Sequence, residues 1–278
     1  MNTFVIVLRM KNVIRVDGTT IAQRTINSLT IDARERPTKR VLFIIGERTA
    51  ANDQFVARKS RVGSAIGVHT SAEYVEDADT ASLVNCIAMN NDYDGIVVQL
   101  PLPEGVNTKH VLDAISVEQD IDMLSEAAIQ EYNSGLSLRM PPVAFAVQAI
   151  IEEYDISLDQ KNIVVLGHGK LVGEPVCLWL TQQGVEYTVI DITTSEEDRA
   201  YALINADIII SGIGVPHSIT PDMIKDGVVL IDAGTSEHTG KLAGDIHPDC
   251  EAKASLYTPV PGGVGPLTIA GLYANLFM

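Results

Sequence analysis

Unbroken apolar runs, more than strict alternation, set the hydrophobic pattern of this chain. Val41-Leu42-Phe43-Ile44-Ile45 stops at Gly46, and Gly95-Ile96-Val97-Val98-Gln99 and Asn162-Ile163-Val164-Val165-Leu166 have the same form. Short β-branched runs without a polar face predict strands covered on both sides, as in parallel sheets. Helical periods separate them. Over 52–66, Phe55, Val56, Val62 and Ile66 fall on one side, Asn52 or Asp53 can cap the start, and Gly67 can end the helix. A strand opening at Val68-His69-Thr70 and a helix over 80–90 complete βαβαβ within the first ~100 residues.

A second unit begins near Arg139. Its pattern reads helix 145–154, strand 162–166, a glycine-rich turn, helix 175–183, strand 186–191, then strands 206–211 and 228–232. That order predicts a doubly wound nucleotide-binding unit. The expected fold class is α/β with two domains, an N-terminal βαβ parallel-sheet domain and a Rossmann-type dinucleotide-binding domain, with a cleft between them. An apolar helix over 267–278 closes the chain. Phe4-Val5-Ile6-Val7-Leu8 reads as a strand, too short for a membrane span and without a cleavage-site pattern.

Length and charge narrow the partners. The 278 residues suit two domains of ordinary size. A formal net charge of -16 argues against nucleic acid, which needs clustered Lys and Arg. One local exception is the group Arg48, Arg58, Lys59 and Arg61, either an anion-facing patch or a solvated helix face. Cys86, Cys177 and Cys250 are widely spaced and flanked by apolar residues. They form no metal-ligand spacing and read as buried thiols of a reducing compartment. No metal and no membrane are expected, and the cytoplasm is the expected location.

Gly167-x-Gly169-x-x-x-Gly173 falls between a predicted strand and a predicted helix, the context in which glycines let a pyrophosphate approach backbone N–H groups. Asp191 stands 24 residues after Gly167, at the end of the next strand. A carboxylate there accepts hydrogen bonds from ribose hydroxyls and repels a 2′-phosphate, so NAD is the expected cofactor, with NADP as the alternative. Equally, Asp191 can cap a turn into Thr193-Thr194. Gly212-Ile213-Gly214 and Asp232-Ala233-Gly234 are strand-end turns, unspecific by themselves.

The segment Tyr257–Thr268, rich in proline and glycine and without charge, cannot form a regular helix or a central strand. Together with Val98-Gln99-Leu100-Pro101-Leu102-Pro103 and Gly167-His168-Gly169-Lys170-Leu171-Val172-Gly173-Glu174-Pro175, it resembles the bifunctional methylenetetrahydrofolate dehydrogenase/cyclohydrolase family, often called FolD. The resemblance runs from about Asp17 to Asn275. It implies a folate/catalytic domain, 1–140 plus 264–278, and an NAD(P)-binding domain, 141–263, in a homodimer. It also implies that the last helix crosses back onto the first domain.

The substrates implied are one-carbon derivatives of tetrahydrofolate. Lys59, hydrogen-bonded to Gln99, would polarise the one-carbon unit, and Asp122 would hold the pterin. Phe55 would stack on the p-aminobenzoyl ring, and Pro261, Gly262 and Gly263 would lie against the folate. Cofactor contacts are implied at Gly167, His168, Gly169, Gly173, Asp191, Gly212, Ile213, Gly214, Gly234 and Thr268. His168, Gly169, Asp191 and Ile192 replace the family's usual NADP-type residues, which again points to NAD.

Three departures stand out. Phe55 replaces the family's tyrosine and removes a hydroxyl that the hydrolysis could use. Met123 replaces a glycine after Asp120-Ile121-Asp122. Met140-Pro141-Pro142-Val143-Ala144 keeps only Pro141 of a Pro-Cys-Thr-Pro segment, losing a thiol and a hydroxyl. Two alternatives follow, a monofunctional NAD-linked dehydrogenase and a non-catalytic folate- or nucleotide-binding protein. An amino-acid-type dehydrogenase is a third, against which the 261–268 loop and Gln99-Leu100-Pro101 speak.

Overall fold

Fully buried apolar strands need helices on both faces, and the chain supplies them in alternation. The computed structural model describes residues 13–238 and 241–278, so the run Phe4–Leu8 lies outside the described residues. Strand β1 (Ile14–Arg15) leads into helix α1 (Gly18–Arg34), then β2 (Arg40–Ile45), α2 (Ala50–Ile66), β3 (His69–Tyr74), α3 (Thr80–Met89) and β4 (Gly95–Gln99). Short helices α4 (Thr108–Asp113) and α5 (Glu126–Asn133) follow, and α6 (Pro142–Glu153) opens the second unit. Next come β5 (Ile163–Leu166), α7 (Gly173–Gln182), β6 (Thr188–Ile190), α8 (Glu196–Asn205), β7 (Ile208–Ser211) and β8 (Val228–Asp232). The hairpin β9 (Ser236–His238) and β10 (Lys241–Ala243), β11 (Ala254–Tyr257) and α9 (Val264–Phe277) end the chain.

Two parallel sheets result. One has three strands in the order β3-β2-β4, the predicted βαβαβ, and the other has six in the order β1-β11-β8-β7-β5-β6. The larger sheet takes its first edge strand from Ile14–Arg15, which pairs in parallel with Leu256 and Tyr257. Local corrections are small. Thr49, not Asn52 or Asp53, caps α2, its side chain accepting from the Asn52 N–H. Gly67 ends that helix at φ 94°, as the left-handed cap requires. Strand β3 runs on to Tyr74, and α9 starts at Val264 rather than 267. Helices α1, α4, α5 and α8 and the strands β1, β9, β10 and β11 go beyond the elements read from the sequence.

Helix α9 joins the two halves. Val264, Leu267 and Ala270 belong to the core of the larger sheet, while Leu272, Tyr273, Leu276 and Phe277 belong to that of the smaller one. Such a helix, buried nearly all round, has no polar face to lose to water. Its close approach to α6 depends on Gly271, where a Cβ would stand 2.9 Å from the Phe145 ring. Cys86, Cys177 and Cys250 are all buried and free. Burial pushes their thiols up, to about 12 for Cys86 and about 11 for the others, which keeps them unreactive.

Candidate active site

The two units face each other across a cleft of about 480 Å³. Phe55, Lys59 and Val62 of α2 line one side, Pro261, Gly262 and Thr268 another, and Leu171 and Val172 enter from the turn before α7. Phe55 and Lys59 are one helical turn apart, so both side chains reach the same space.

Lys59 is the charged centre. Its Nζ donates to Gln99 Oε1 at 3.3 Å and lies 3.8 Å from Asp122 Oδ2. Gln99 ends β4 and is buried, and its Nε2 donates to the Leu100 carbonyl at 2.8 Å. That second bond fixes the amide so that its oxygen faces the lysine. Lys59 and Asp122 side chains are only 18% and 22% exposed, so their attraction is poorly screened. Burial raises the Asp122 carboxyl above its ordinary value, the Lys59 charge opposes that, and Asp120 adds to it.

Three residues to which the sequence reading gave no role hold this cluster. Tyr273 of α9 is fully buried and its hydroxyl donates to the Lys59 carbonyl at 2.8 Å, pinning the helix at the lysine. Asn275 donates to the carbonyls of Ile121 and Met140, both at 2.9 Å. Asp120 is buried, and its Oδ2 accepts from the N–H groups of Leu124 and Ser125 at 3.0 and 2.7 Å. These contacts shape the loop that carries Asp122. Met123, where the family has glycine, adopts φ 56° and is buried. The loop thus holds a left-handed conformation at this residue, which costs a side chain about 1–2 kcal/mol. The Tyr273 and Asn275 contacts join segments far apart in sequence, and only their burial in the fold reveals them.

At the nucleotide turn, Gly167 follows β5 at φ 85° and its N–H donates to the Ile190 carbonyl at 2.7 Å. Leu166 pairs with Ile190, so Gly167 and Asp191 leave the sheet side by side. A Cβ on Gly173 would lie 1.9 Å from the Gly167 carbonyl oxygen, whereas Gly169 faces open space. Helix α7 starts with no side-chain cap, leaving its positive end to an anion. His168 is exposed. These features fit the pyrophosphate of a dinucleotide. Asp191 does cap a turn, since its Oδ1 accepts from the Thr193 N–H and hydroxyl at 2.8 and 2.7 Å. Those bonds hold its exposed carboxyl below the ordinary value.

The Gly212-Ile213-Gly214 loop packs on that turn, Ile213 Cγ2 lying 2.9 Å from where a Gly167 Cβ would be. Asp245, a residue the sequence reading passed over, organises it. One Asp245 oxygen accepts from the Ser211 hydroxyl and the Ile213 N–H, both at 2.8 Å, and the other from the Val215 N–H at 3.0 Å. Gly234 makes room for this carboxylate, for a Cβ there would stand 2.2 Å from it. Gly167, His168, Gly169, Gly173, Asp191, Gly212, Ile213, Gly214, Gly234 and Gly263 do not line the cleft itself. Gln99 and Asp122 meet it through Lys59. The Thr268 hydroxyl donates back to the Gly265 carbonyl at 2.8 Å.

Asp232 lies at the cleft wall yet is 1% exposed. Burial, with Asp245 close by, pushes its carboxyl up to about 7, against the N–H groups of Ile246, Asp245 and Gly234 that favour the charged form. Between about pH 4 and 7 the folded protein thus holds a proton that the unfolded chain releases. The Asp232 contribution to stability is full below about pH 4 and is lost as pH rises through 7, a change of roughly 4 kcal/mol. Urea unfolding at pH 5 and pH 8 should register this decline, and Asp232→Asn should flatten it, whatever the variant's absolute stability. Equal slopes in the two proteins would contradict the assignment.

Residues 16–122 match the model of the tetrahydrofolate dehydrogenase/cyclohydrolase catalytic domain, and 141–278 match that of the NAD(P)-binding domain of the same family. The bifunctional protein FolD of Nautilia profundicola is 32% identical over 270 residues, 94% of each chain. A crystal structure of bifunctional FolD from Campylobacter jejuni superposes with a TM-score of 0.86 at 27% identity, covering 95% of this chain and 96% of the other. The Trypanosoma brucei dehydrogenase-cyclohydrolase, complexed with NADP cofactor and inhibitor, gives 0.87 at 27% identity over the same shares. With its two sheets, its glycine turn and the Lys59–Gln99–Asp122 cluster that meets the cleft at Lys59, this chain belongs to the tetrahydrofolate dehydrogenase/cyclohydrolase family.

Proposed function

We propose that the protein oxidises 5,10-methylenetetrahydrofolate to the methenyl form with NAD(P), and hydrolyses that product to 10-formyltetrahydrofolate in the same cleft. The observation that carries this is the Lys59 ammonium held between Gln99 and Asp122, 3.3 Å and 3.8 Å away. Asp122 accepts the adjacent N–H donors of the pterin edge. Lys59 and Gln99 orient the one-carbon centre, and Lys59 assists the attack of water on the methenyl carbon. Phe55 stacks on the p-aminobenzoyl ring. The backbone at Pro261, Gly262 and Gly263 forms a flat wall for the folate. A bound nicotinamide supplies the hydride acceptor; Gly167, His168, Gly169, Gly173, Gly212, Ile213, Gly214, Gly234 and Thr268 are the residues proposed to hold that cofactor.

NAD is the preferred cofactor in this reading. Asp191 Oδ2, the oxygen not engaged with Thr193, is available to ribose hydroxyls and repels a 2′-phosphate. The folate domain, 1–140 with 264–278, and the cofactor domain, 141–263, belong to the same proposal, as do a homodimer and a cytoplasmic location. The surplus of acidic residues supports the absence of nucleic-acid and anionic-membrane partners.

The test is turnover of methylenetetrahydrofolate with NAD and NADP in parallel, recording reduced cofactor and methenyl product separately. The expected result is an NAD preference of about tenfold or more in kcat/KM, narrowed by Asp191→Ser, with methenyl product consumed faster than its spontaneous hydrolysis. Absence of turnover with both cofactors would overturn the enzyme reading. Phe55→Tyr supplies the missing hydroxyl at the cleft wall. It should raise methenyl hydrolysis two- to tenfold, roughly one hydrogen bond of about 0.5–1.5 kcal/mol. An unchanged rate would mean that the phenylalanine costs the hydrolysis nothing.

A further inference from the structure

Strand order decides how a dinucleotide would cross the larger sheet. Strands β8, β7, β5 and β6 are neighbours in that order and all parallel, so their C-terminal ends form one edge. Asp191 follows β6 and Gly167 follows β5, the places read above for the ribose and the pyrophosphate. That leaves the nicotinamide half to the end of β7 and, beyond it, to β8, whose Asp232 reaches the cleft that also holds Lys59. The loop 211–215 leaves β7 here, level with the glycine turn. Ser211 pairs with Leu166, and the Gly212 N–H donates to the Leu166 carbonyl at 3.0 Å.

One carboxylate shapes this loop. Asp245 is fully buried, and the three bonds its side chain accepts among the described residues all come from Ser211, Ile213 and Val215. Two N–H groups and a hydroxyl thus meet two oxygens that only accept, and negative charge strengthens each bond. Asp232 in turn holds the backbone that carries Asp245, accepting from the N–H groups of Asp245 and Ile246 at 3.2 and 2.8 Å. Ser236, at the start of β9, donates to the Gly214 carbonyl at 2.8 Å. The segment that contains the β9–β10 hairpin therefore grips the loop at both of its ends, and between them Leu242 lines the cleft.

We propose that Asp245 is a positioning residue for hydride transfer: by fixing the loop 211–215 it sets the nicotinamide against the one-carbon unit, and the hydrolysis proceeds without it. The proposal deepens the cofactor reading above and rests on it. Hydride transfer needs two carbons brought together in one geometry, and a displacement of about 1 Å costs on the order of a hundredfold. Water attack on the methenyl carbon uses Lys59 and Gln99, which α2 and β4 of the other unit carry, and it needs no nicotinamide.

The experiment compares the wild type, Asp245→Asn and Ser236→Ala in two assays. One follows NADH formation from methylenetetrahydrofolate, and the other follows decay of methenyltetrahydrofolate supplied without NAD. Asparagine keeps the shape of Asp245 but must turn its NH2 toward one of the loop's own N–H groups. Its kcat for NADH formation should fall about tenfold to a hundredfold, with methenyl decay within about twofold of the wild type. Ser236→Ala removes one bond to the loop and should lower kcat about two- to tenfold with the same selectivity. With methylene-dideuterated folate, the isotope effect on NADH formation should rise in both variants, because a misplaced nicotinamide makes hydride transfer the slow step. Unchanged NADH formation in both variants would overturn the proposal. So would equal loss of both activities, which would make Asp245 a residue of the fold alone. If Asp245→Asn does not fold, Ser236→Ala decides by the same split between the two rates. A wild type that forms no reduced cofactor is a separate outcome, and it sinks the underlying cofactor reading.

Discussion

Lys59→Met is expected to slow methenyl hydrolysis by two to four orders of magnitude, the range for loss of a positioned proton-handling group. Methionine keeps most of the apolar stem that packs along α2 and removes only the charge. Three consequences follow. Gln99 Oε1 loses its donor at 3.3 Å, and the amide keeps only its bond to the Leu100 carbonyl. Asp122 loses the cation 3.8 Å away and keeps Asp120 as a neighbour, so its carboxyl moves further above the ordinary range. KM for folate should therefore rise several-fold as pterin anchoring weakens. Hydride transfer depends mainly on how methylene carbon and nicotinamide are positioned, and should fall by about tenfold or less. Rates of NADH formation and of methenyl decay, measured on the same preparation, separate these effects. Hydrolysis within threefold of the wild type would remove Lys59 from the chemistry and leave it an ion-pair partner of Asp122.

The sequence carried the framework of this molecule because parallel strands buried on both faces must be apolar throughout. Val41–Ile45, Ile96–Val98 and Ile163–Leu166 could hardly be anything else, and each lies in a sheet. Lys59 and Gln99 were legible only through the family's motifs, since an isolated lysine gives no local sign of burial. Asp245, Tyr273 and Asn275 left no such trace. Each acts by bonding a side chain to backbone groups far away in the chain, and no periodicity encodes a partner 32, 214 or 154 residues distant. Ile14–Arg15 is too short for a pattern and gains its place by pairing with β11. Met123 misled in another way. Its side chain differs from the family's glycine, yet its backbone adopts the left-handed conformation that glycine enters most readily.

Gly18→Ala is expected to reduce stability by about 3 kcal/mol, the upper end for overpacking, and to weaken folate binding with it. A Cβ at Gly18 would lie 1.8 Å from the Gly263 carbonyl oxygen and 2.8 Å from that of Gly262. Both neighbours are backbone, with no flexible side-chain end to swing away. The Gly18 N–H also donates to the Gly262 carbonyl at 2.9 Å, so relief of the clash breaks a bond that ties α1 to the loop. That loop is the proposed folate wall, and its displacement should raise KM for folate more than KM for NAD. At about 2–4 °C per kcal/mol for a chain of this size, Tm should drop by about 6–12 °C. Gly67→Ala is the control. Gly67 has φ 94° and nothing within 4 Å of its Cβ position, so alanine there strains one residue by about 1–2 kcal/mol and touches no wall. Equal losses in the two variants, with both KM values unchanged, would mean that the contact of α1 with Gly262 and Gly263 does not shape the site.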